Sequence, residues 1–261
     1  MNRSHPFPAL LRRTAWIWTF LLLVALLVAI SAGIACAQEK PRQEPVADKR
    51  APAKVMSWEG AAWLEREGRA EQEKPEMVVQ AMEIRAGMSV ADIGAGSGFF
   101  TRRLARAVGP TGKVYAEDIQ PQMLDLLKKD IEKEGIKNVV TVLGTDTDAK
   151  LPARGIDRVL LVDVYHEFQK PEPMLASIRD SLAPGGTVIL VEYRLEGDTA
   201  SHINIQHRMS VEQVLAEWNA AGFELANRIE TLPSQHLFVF SARRGARELG
   251  AGEKPKAKPP A

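Results

Sequence analysis

The sequence predicts an α/β fold in which a doubly wound, mostly parallel sheet of seven strands has an antiparallel last strand. Apolar, partly β-branched runs alternate along the chain with stretches of helical periodicity, the pattern of strand–helix–strand units. The run at residues 156–163 is almost continuously apolar, which indicates a strand buried on both faces. The last two apolar runs, 223–230 and 237–242, are joined by six residues, and a connection this short requires antiparallel strands.

Composition and length suit one globular domain with extensions. The 261 residues are 45% hydrophobic, which is enough for a full core, and they carry a formal net charge of +1. This near-neutral charge does not indicate nucleic-acid binding, because proteins that bind nucleic acids carry a basic surface. The single cysteine, Cys36, excludes an internal disulfide framework.

Residues 1–37 are predicted to be a signal peptide or a membrane anchor. After three arginines comes an uncharged, mostly apolar run that is long enough to span a bilayer. The run ends in Ala35-Cys36-Ala37, a cleavage pattern that indicates export to the periplasm. Residues 14–37 are equally suited to membrane attachment, whereas lipidation at Cys36 and twin-arginine export fit less well. Basic residues flank the run on both sides, so the side of the membrane that the domain faces stays open.

Three further segments follow this run. Residues 38–54 are rich in proline and charged side chains and are predicted to be a flexible linker. Residues 55–244 contain the alternating pattern and are predicted to be the folded domain, with helical character over 55–88. Residues 245–261 consist mainly of Gly, Lys, Pro and Ala, have little to bury, and are predicted to be a disordered tail.

The domain is organised around a strand, a glycine turn and a helix. Ser89–Ile93 is the predicted first strand, Gly94–Gly98 is the turn, and a helical apolar stripe begins at Phe99 and stops at Gly109-Pro110. Such a unit aims backbone N–H groups at the positive end of a helix into a crevice, and glycines let a ligand lie against bare backbone. A dinucleotide fingerprint needs a third glycine where this chain has Phe99, so that class of ligand is disfavoured.

Acidic residues end the predicted second strand, Lys113–Asp118. They lie about 20 positions beyond the glycine turn, the spacing expected of a carboxylate that accepts hydrogen bonds from ribose hydroxyls. Glu117 and Asp118 both qualify on spacing alone. Pro121 then begins a helix that ends at Gly135.

The remaining elements alternate in the same way. In order, they are a third strand at 139–143, a fourth at 156–163, a helix at 171–182, a fifth strand at 187–193, a polar loop at 196–209, a helix that begins at the Ser210–Gln213 capping box and ends at Gly222, and the two antiparallel strands. Polar residues follow the third and fourth strands, at the edge where an open α/β sheet binds ligands. They include Asp146 and Asp148 after the third strand, and Asp163 and His166 after the fourth.

Four motifs occur in an order that one protein family shares. They are Asp92–Gly98, an acidic residue before Gly-x-Gly-x-Gly; Asp118-Ile119-Gln120-Pro121; Asp146; and Leu182-Ala183-Pro184-Gly185-Gly186. Over residues 75–242 the chain resembles the class I S-adenosylmethionine-dependent methyltransferases, most closely the small-molecule enzymes of the ubiquinone-biosynthesis and type-11 kind. The resemblance implies a Rossmann-like strand order, S-adenosylmethionine (SAM) as the cofactor, and methyl transfer to a small-molecule acceptor.

The resemblance also implies which residues hold the cofactor. They are Asp92, Gly94, Ala95, Gly96, Gly98, Asp118, Ile119, Asp146 and Asp163. Asp118 is expected to bind the ribose, with Glu117 facing the other way, and Asp146 to bind the adenine amine, with Asp148 as the alternative. Asp163 is expected near the methionine part, and the segment before the first strand either covers the crevice or packs on the sheet.

Histidines are the remaining candidates for chemistry. His166 is the candidate general base, needed only if the acceptor must lose a proton, and its alternative role is structural, at the mouth of the crevice. His202, His207 and His236 lie in polar loops without the tight spacing of a metal site, so no metal is predicted. The absence of an Asn-Pro-Pro-Tyr type sequence after the fourth strand argues against methylation of adenine or amide nitrogens.

Two other functions stay open. A catalytically silent SAM-binding module, acting by interaction at a membrane, has the same cofactor motifs, since a fold does not prove an activity. A nicotinamide-dependent oxidoreductase is disfavoured by Phe99. Nucleic acid is not expected as a partner, and the sequence does not indicate the acceptor, the atom methylated or the oligomeric state.

Overall fold

A computed structural model describes residues 51–243 of the chain. The predicted signal or anchor at 1–37, the linker up to residue 50 and the tail at 245–261 lie outside the described residues. Among residues 51–243, every helix is too short or too polar to cross a bilayer. The last part of the predicted linker packs on the domain, because Ala53 is buried and its N–H donates a 2.9 Å hydrogen bond to the carbonyl of His166.

Eight strands form one mixed sheet. They are β1 (Ser89–Ile93), β2 (Lys113–Asp118), β3 (Val139–Leu143), β4 (Ile156–Val162), β5 (Leu182–Arg194), β6 (Arg208–Met209), β7 (Phe223–Ile229) and β8 (Gln235–Ala242). The order is β3-β2-β1-β4-β5-β8-β7, with β6 paired in parallel to the end of β5. Strands β1 to β5 are mutually parallel, and β8 runs antiparallel to both β5 and β7. The predicted α/β sheet with a reversed last strand is therefore confirmed.

Two features of the sheet differ from the prediction. The two-residue strand β6 lies in the segment that we expected to be a polar loop. Strand β5 begins at Leu182 rather than Thr187, because the Leu-Ala-Pro-Gly-Gly stretch already pairs with β4 across an irregular register. Turn residues such as Pro and Gly mask this pairing in the sequence, since they usually end strands.

Among residues 51–243, seven α-helices accompany the sheet. They are α1 (Ala61–Leu64), α2 (Arg69–Glu73), α3 (Pro75–Ala81), α4 (Phe99–Val108), α5 (Pro121–Lys133), α6 (Pro171–Ser181) and α7 (Val211–Ala220). Prolines begin α3, α5 and α6, where the missing N–H costs no intrahelical hydrogen bond. The Ser210 side chain caps α7 by accepting from the Gln213 N–H at 3.1 Å. The segment 55–88 is a series of short turns and helices rather than one long helix.

The core lies on both faces of the sheet, as the apolar run of β4 predicts. Val159 and Leu161 belong to one buried cluster with α6 and α7, and Leu160 between them belongs to another with α3 and α4. Successive side chains of a strand point to opposite faces, so β4 supplies both clusters. In the first cluster Trp218 stacks on Phe240, with ring centroids 4.4 Å apart.

This topology fixes where a ligand can bind. The strand order reverses between β1 and β4, because the chain leaves β1 toward β2 and returns on the other side. Open α/β sheets bind ligands in the crevice at the carboxyl ends of strands at such a reversal. The glycine turn after β1 and the polar residues after β4 lie at this crevice.

Candidate functional site

A cavity of ≈ 680 Å³ lies at the carboxyl ends of β1, β2 and β4. Of the predicted site residues, those that line it are Asp92, Gly94, Ala95, Gly96, Asp118, Ile119, Asp146, Asp163 and His166. Gly98 does not line it. Its volume is in the range of cavities that bury a cofactor-sized molecule.

The glycine turn is shaped by the backbone and by its neighbours. Gly94, Gly96 and Gly98 have φ angles of +66°, +55° and +93°, which side chains rarely adopt. A Cβ at Gly94 would collide with Val164, and one at Gly98 would collide with Leu127 of α5. Gly98 is therefore explained by the start of α4 and its packing, whereas Gly94 and Gly96 face the cavity.

Two neighbouring carboxylates at the end of β2 hold the glycine turn. Asp118 accepts hydrogen bonds from the N–H groups of Gly96, at 3.0 Å, and Gln120, at 2.8 Å. Glu117, expected to face the other way, nevertheless reaches the turn: its carboxyl lies 3.4 Å from the Gly94 nitrogen. Both residues line the cavity.

Burial raises the pKa values of both carboxyl groups. It raises the pKa of Glu117 to about 8, helped by the charge of Asp118 and opposed by the Gly94 N–H. Burial also raises the pKa of Asp118, but the N–H groups of Gln120, Gly96 and Ile119 oppose it by stabilising the ionised form. Glu117 Oε1 is buried without a hydrogen-bond partner among residues 51–243.

Asp92 lies beneath the turn at the end of β1. Its carboxylate accepts a 2.6 Å hydrogen bond from the hydroxyl of Thr101 in α4. Burial raises the pKa of Asp92 to about 7, although the Thr101 hydroxyl and the charge of Arg69 oppose the shift. This side chain therefore ties β1 to α4 and presents a poorly compensated carboxyl to the cavity.

Asp163 occupies a strained position directly after β4. Its φ is +50°, an angle that is uncommon for residues other than glycine and often marks functional sites. One carboxylate oxygen accepts a 2.7 Å hydrogen bond from the Gln235 side chain. The other is buried and has no partner among the described residues. Burial, together with the charges of Glu73 and Glu192, holds the pKa of Asp163 well above its usual range.

The segment before β1 forms one wall of the cavity, which sequence reasoning left open. Leu64 lies over the turn so closely that a Cβ on Gly96 would collide with it. Arg66 and Arg69 line the cavity, and each pairs with the buried Glu73 at 2.9 Å. The Arg69 guanidinium also lies over the ring of Phe99, 4.1 Å from its centroid. Thus Phe99, the residue that departs from the dinucleotide fingerprint, anchors this wall.

The structure separates the two candidates that follow β3. Asp146 lines the cavity and forms an ion pair with Lys170 at 2.8 Å. Asp148 instead accepts from the hydroxyl of Ser177 at 2.7 Å and from the Lys150 N–H, which holds its pKa below the usual range. Of these two, Asp146 is the one placed to meet a ligand. Ile119, 41% exposed, offers an apolar surface nearby.

A row of polar side chains begins in β5 and ends at the cavity. Glu192, fully buried, accepts from His166 Nδ1 at 2.6 Å, and His166 Nε2 lies 2.9 Å from His207 Nδ1. Burial alone would lower the pKa of His166, but the charge and hydrogen bond of Glu192 outweigh it and raise that pKa. Burial and the neighbouring His166 lower the pKa of His207.

The other histidines lie apart from this row. His202 is exposed at the cavity rim, and its ring contacts that of Tyr193 edge-on at 6.3 Å between centroids. His236 pairs with Glu230 and Glu196 at 2.8 and 3.0 Å and does not line the cavity. The loop position of His207 gave no signal of its approach to His166, because the two are 41 residues apart in the chain.

Charge is unevenly distributed around the cavity. Three lysine or arginine side chains line it, namely Lys54, Arg66 and Arg69. Seven carboxylates line it, namely Glu73, Asp92, Glu117, Asp118, Asp146, Asp163 and Glu167. Such an excess of carboxylates suits a cationic ligand, since those of them that are buried are costly to ionise without one.

Comparison with known proteins agrees with this geometry. A protein-family model described as a methyltransferase domain matches residues 84–232, more than half of the chain. The protein-L-isoaspartate O-methyltransferase of Methanothrix thermoacetophila is 27% identical over 114 residues, which are 44% of this chain and 51% of that protein. The ubiquinone/menaquinone biosynthesis C-methyltransferase UbiE of Hahella chejuensis is 29% identical over 111 residues, 42% of this chain and 45% of that one. The chain spans about half the length of these curated relatives.

Solved structures share the fold over a larger part of the chain. A SAM-dependent methyltransferase from Aquifex aeolicus superposes with a TM-score of 0.67 at 24% identity, over 71% of this chain and 98% of that one. The [4+2]-cyclase SpnF superposes with a TM-score of 0.56 at 15% identity, over 69% of this chain and 86% of that one. At these identities the likeness shows the fold alone, and a cyclase with this fold shows that the fold hosts more than one reaction.

Proposed function

This chain belongs to the methyltransferase domain family, and we propose that it transfers a methyl group from S-adenosylmethionine to a small-molecule acceptor. When bound, the cofactor supplies a methyl group that is already activated for displacement by its attachment to a sulfonium sulfur. The protein then has to bind and orient the two reactants in line and exclude water. The observation that carries the proposal is the set of buried carboxylates that surrounds the glycine turn in one cavity.

The charge of the cavity favours this cofactor over a nicotinamide dinucleotide. SAM has a positive sulfonium and a positive ammonium group against one carboxylate, so a cation enters a site where carboxylates outnumber Lys and Arg. Asp92, Glu117 and Asp163 all have raised pKa values because they are buried, and a nearby cation offsets that cost. The pyrophosphate of a dinucleotide would instead add negative charge to the same space.

The nucleoside half of the cofactor fits the β2 and β3 side of the cavity. Asp118 is the proposed acceptor for the ribose hydroxyls, because its carboxylate lies at the strand end and is already held by two backbone N–H groups. Ile119 provides an apolar contact for the adenine ring, and Asp146 accepts from its exocyclic amine. Gly94 and Gly96 let the ligand lie against the main chain.

The methionine half fits the β1 and β4 side. Asp163 carries a buried carboxylate oxygen without a partner among residues 51–243, and a cofactor ammonium group would satisfy it. Asp92, at the end of β1, lines the same cavity and adds to its negative potential. Arg66 and Arg69 are the guanidinium groups that line the cavity, and they are the candidates for the cofactor's carboxylate.

The acceptor would lie at the His166 end of the cavity. His166, Glu167 and His207 are polar groups at that end that do not belong to the proposed cofactor contacts. A base role for His166 stays a prediction: His166→Gln is expected to lower kcat while leaving the affinity for S-adenosylhomocysteine unchanged. A variant that loses both together would instead mark His166 as part of the cofactor site.

Methyl transfer is tested directly by product release. The purified full chain is incubated with SAM labelled in the methyl group and with a small-molecule extract of its own cells, and S-adenosylhomocysteine is quantified. We expect release that depends on the extract and falls sharply in Asp118→Asn. A folded protein that binds SAM but never releases the product, with any fraction of the extract, would support the silent binding module instead. The names of the curated relatives describe different acceptors, so they do not select one for this chain.

We also propose that the N-terminal segment exports the domain to the periplasm or attaches it to the membrane through residues 14–37. The support is the apolar run and its Ala35-Cys36-Ala37 end in the sequence. N-terminal sequencing of the protein from its own cells, with membrane and periplasmic fractions separated, distinguishes these outcomes. A start at Gln38 in the periplasmic fraction indicates cleavage, an intact start in the membrane fraction indicates an anchor, and an intact cytosolic protein contradicts both.

A further inference from the structure

Three side chains with metal-binding atoms meet at the acceptor end of the cavity. His166 and Glu167 belong to the turn after β4, and His207 belongs to the turn before β6. One ligand atom from each lies within 4.8 Å of the other two. All three line the cavity, so an ion bound between them would face the bound acceptor.

The two imidazoles have the closest approach of the group. His166 Nε2 and His207 Nδ1 are 2.9 Å apart, and the ring planes are inclined by 84°. Two nitrogen ligands at about 2.1 Å from one ion lie about 3.0 Å apart on neighbouring positions of an octahedron and about 3.4 Å apart in a tetrahedron, so a tetrahedral ion such as Zn²⁺ requires a small separation of the two rings. The spacing therefore suits either a shared proton or a shared metal ion.

Groups behind the two ligands from the β4 turn fix their orientation. Glu192 Oε2 lies 2.6 Å from His166 Nδ1, while Glu192 Oε1 accepts from the Tyr165 N–H at 2.8 Å. A carboxylate accepts the Nδ1 proton, and this tautomer directs the lone pair of Nε2 toward His207. Carboxylates that orient ligating histidines in this way are a regular feature of zinc sites. The Met56 N–H holds Glu167 Oε1 at 3.1 Å.

We propose that His166, His207 and Glu167 bind one divalent first-row transition-metal ion, with Glu192 as the positioning residue behind His166. Two imidazoles and one carboxylate are the donor set of catalytic Zn²⁺ and non-haem Fe²⁺ sites, whereas Mg²⁺ and Ca²⁺ take oxygen ligands. Three protein ligands leave coordination positions that face the cavity.

Such an ion gives a chemical class for the acceptor, and this step rests on the proposed function. With Nδ1 on Glu192 and Nε2 on the ion, His166 would have no free ring nitrogen to act as a base, so in this arrangement the ion replaces it as the activating group. An acceptor hydroxyl or thiol that binds the open position loses its proton to solvent more readily, since a metal ion lowers the pKa of its ligand. The resulting anion forms a bond to the methyl carbon as the carbon–sulfonium bond breaks. One negative and one positive charge cancel, and the products are a methyl ether or thioether and S-adenosylhomocysteine.

The test measures metal binding separately from cofactor binding. The full chain is treated with a chelator, dialysed, and titrated with Zn²⁺ in a calorimeter, with S-adenosylhomocysteine titrated in a second experiment. The variants are His207→Ala, Glu192→Gln and the control His202→Ala, which removes a histidine from the same loop. His202 is exposed and His207 is half-buried, so thermal unfolding is measured for each variant to confirm that it is folded before the Zn²⁺ titrations are compared.

We expect the wild-type chain to bind one equivalent of Zn²⁺ that His207→Ala binds about 100-fold more weakly and Glu192→Gln about 10-fold more weakly. His202→Ala is expected to match the wild type. Equal Zn²⁺ titrations for the wild type and His207→Ala, or none for the wild type, would overturn the metal site. The proposed function fails separately, if Zn²⁺ binds as described but neither SAM nor S-adenosylhomocysteine binds to the folded chain.

Discussion

The pair of carboxylates at the end of β2 allows a sharp test of the cofactor site. Asp118→Asn keeps the shape of the side chain but replaces one of its two accepting oxygens with an N–H donor. That donor would face the N–H of Gly96 or Gln120, which Asp118 now holds at 3.0 and 2.8 Å. The variant also weakens acceptance of the ribose hydroxyls.

The expected magnitude follows from the charge on that carboxylate. A hydrogen bond to a charged group contributes about 1.5–3 kcal/mol, so its loss weakens S-adenosylhomocysteine binding about 10- to 100-fold at 25 °C. Glu117→Gln is the matched control on the adjacent residue. Burial raises the pKa of Glu117 to about 8, so this carboxyl is already mostly neutral at pH 7 and the substitution removes little.

Calorimetric titration of the two variants and the wild type with S-adenosylhomocysteine at pH 7 provides the measurement. This ligand lacks the sulfonium charge, so the comparison reports hydrogen bonding rather than attraction to a cation. The Glu117→Gln affinity is expected within about 3-fold of the wild type, because no charge is lost. A larger loss in Glu117→Gln than in Asp118→Asn would refute the assignment of Asp118 to the ribose.

Three other predictions use the same geometry. The pKa of Glu117 is higher in the folded than in the unfolded chain, so the folded state binds more protons and its stability falls as the pH rises from about 4.5 to 8. In urea unfolding, the free energy of unfolding of Glu117→Gln should therefore increase by about 2 kcal/mol relative to that of the wild type between pH 6 and 8. Parallel pH profiles of the two proteins would contradict this. Asp92 and Glu117 ionise near pH 7 and 8, so the cavity gains negative charge over that range and the preference for SAM over S-adenosylhomocysteine should increase. A ratio of the two dissociation constants that does not change with pH would argue against attraction between these carboxylates and the sulfonium. Gly98→Ala should destabilise the fold by about 1–3 kcal/mol more than Gly135→Ala in denaturant unfolding. Both glycines have a positive φ, but only at Gly98 would the added Cβ collide with a neighbour, Leu127. Equal losses of stability would contradict the packing role of Gly98.

Much of the fold was predictable because its signals are local. The strand, glycine turn and helix from Ser89 to Val108 need only neighbouring residues to specify them, and the structure has the predicted boundaries. The apolar run of β4 likewise reports burial on both faces. The short connection between β7 and β8 fixes their antiparallel pairing without knowledge of the rest of the sheet.

The parts that sequence reasoning missed depend on contacts between distant elements. Glu192 lies on β5 and meets His166 only because β4 and β5 pair in register. His207 reaches His166 because the two-residue strand β6 holds its loop beside β5. A strand this short leaves no recognisable pattern in a polar loop. Periodicity and motif spacing do not predict such contacts, since each describes a single helix, strand or turn.

The wall formed by the segment before β1 is a second case. From the sequence, an arginine such as Arg69 would be expected to face solvent. It is buried because Glu73 neutralises its charge and the ring of Phe99 packs against it. The contact of Glu117 with the glycine turn, 3.4 Å from the Gly94 nitrogen, was missed as well. Both cases involve buried charge, whose partners decide its position and are invisible before the fold is known.

A crystal structure of the chain with S-adenosylhomocysteine tests the central claim most directly. We expect the ribose hydroxyls within hydrogen-bond distance of the Asp118 carboxylate, the nucleoside against the main chain of Gly94 and Gly96, and the amino group at Asp163. A nucleoside bound elsewhere on the protein, or one whose ribose contacts Glu117 and leaves Asp118 to the backbone alone, would contradict it.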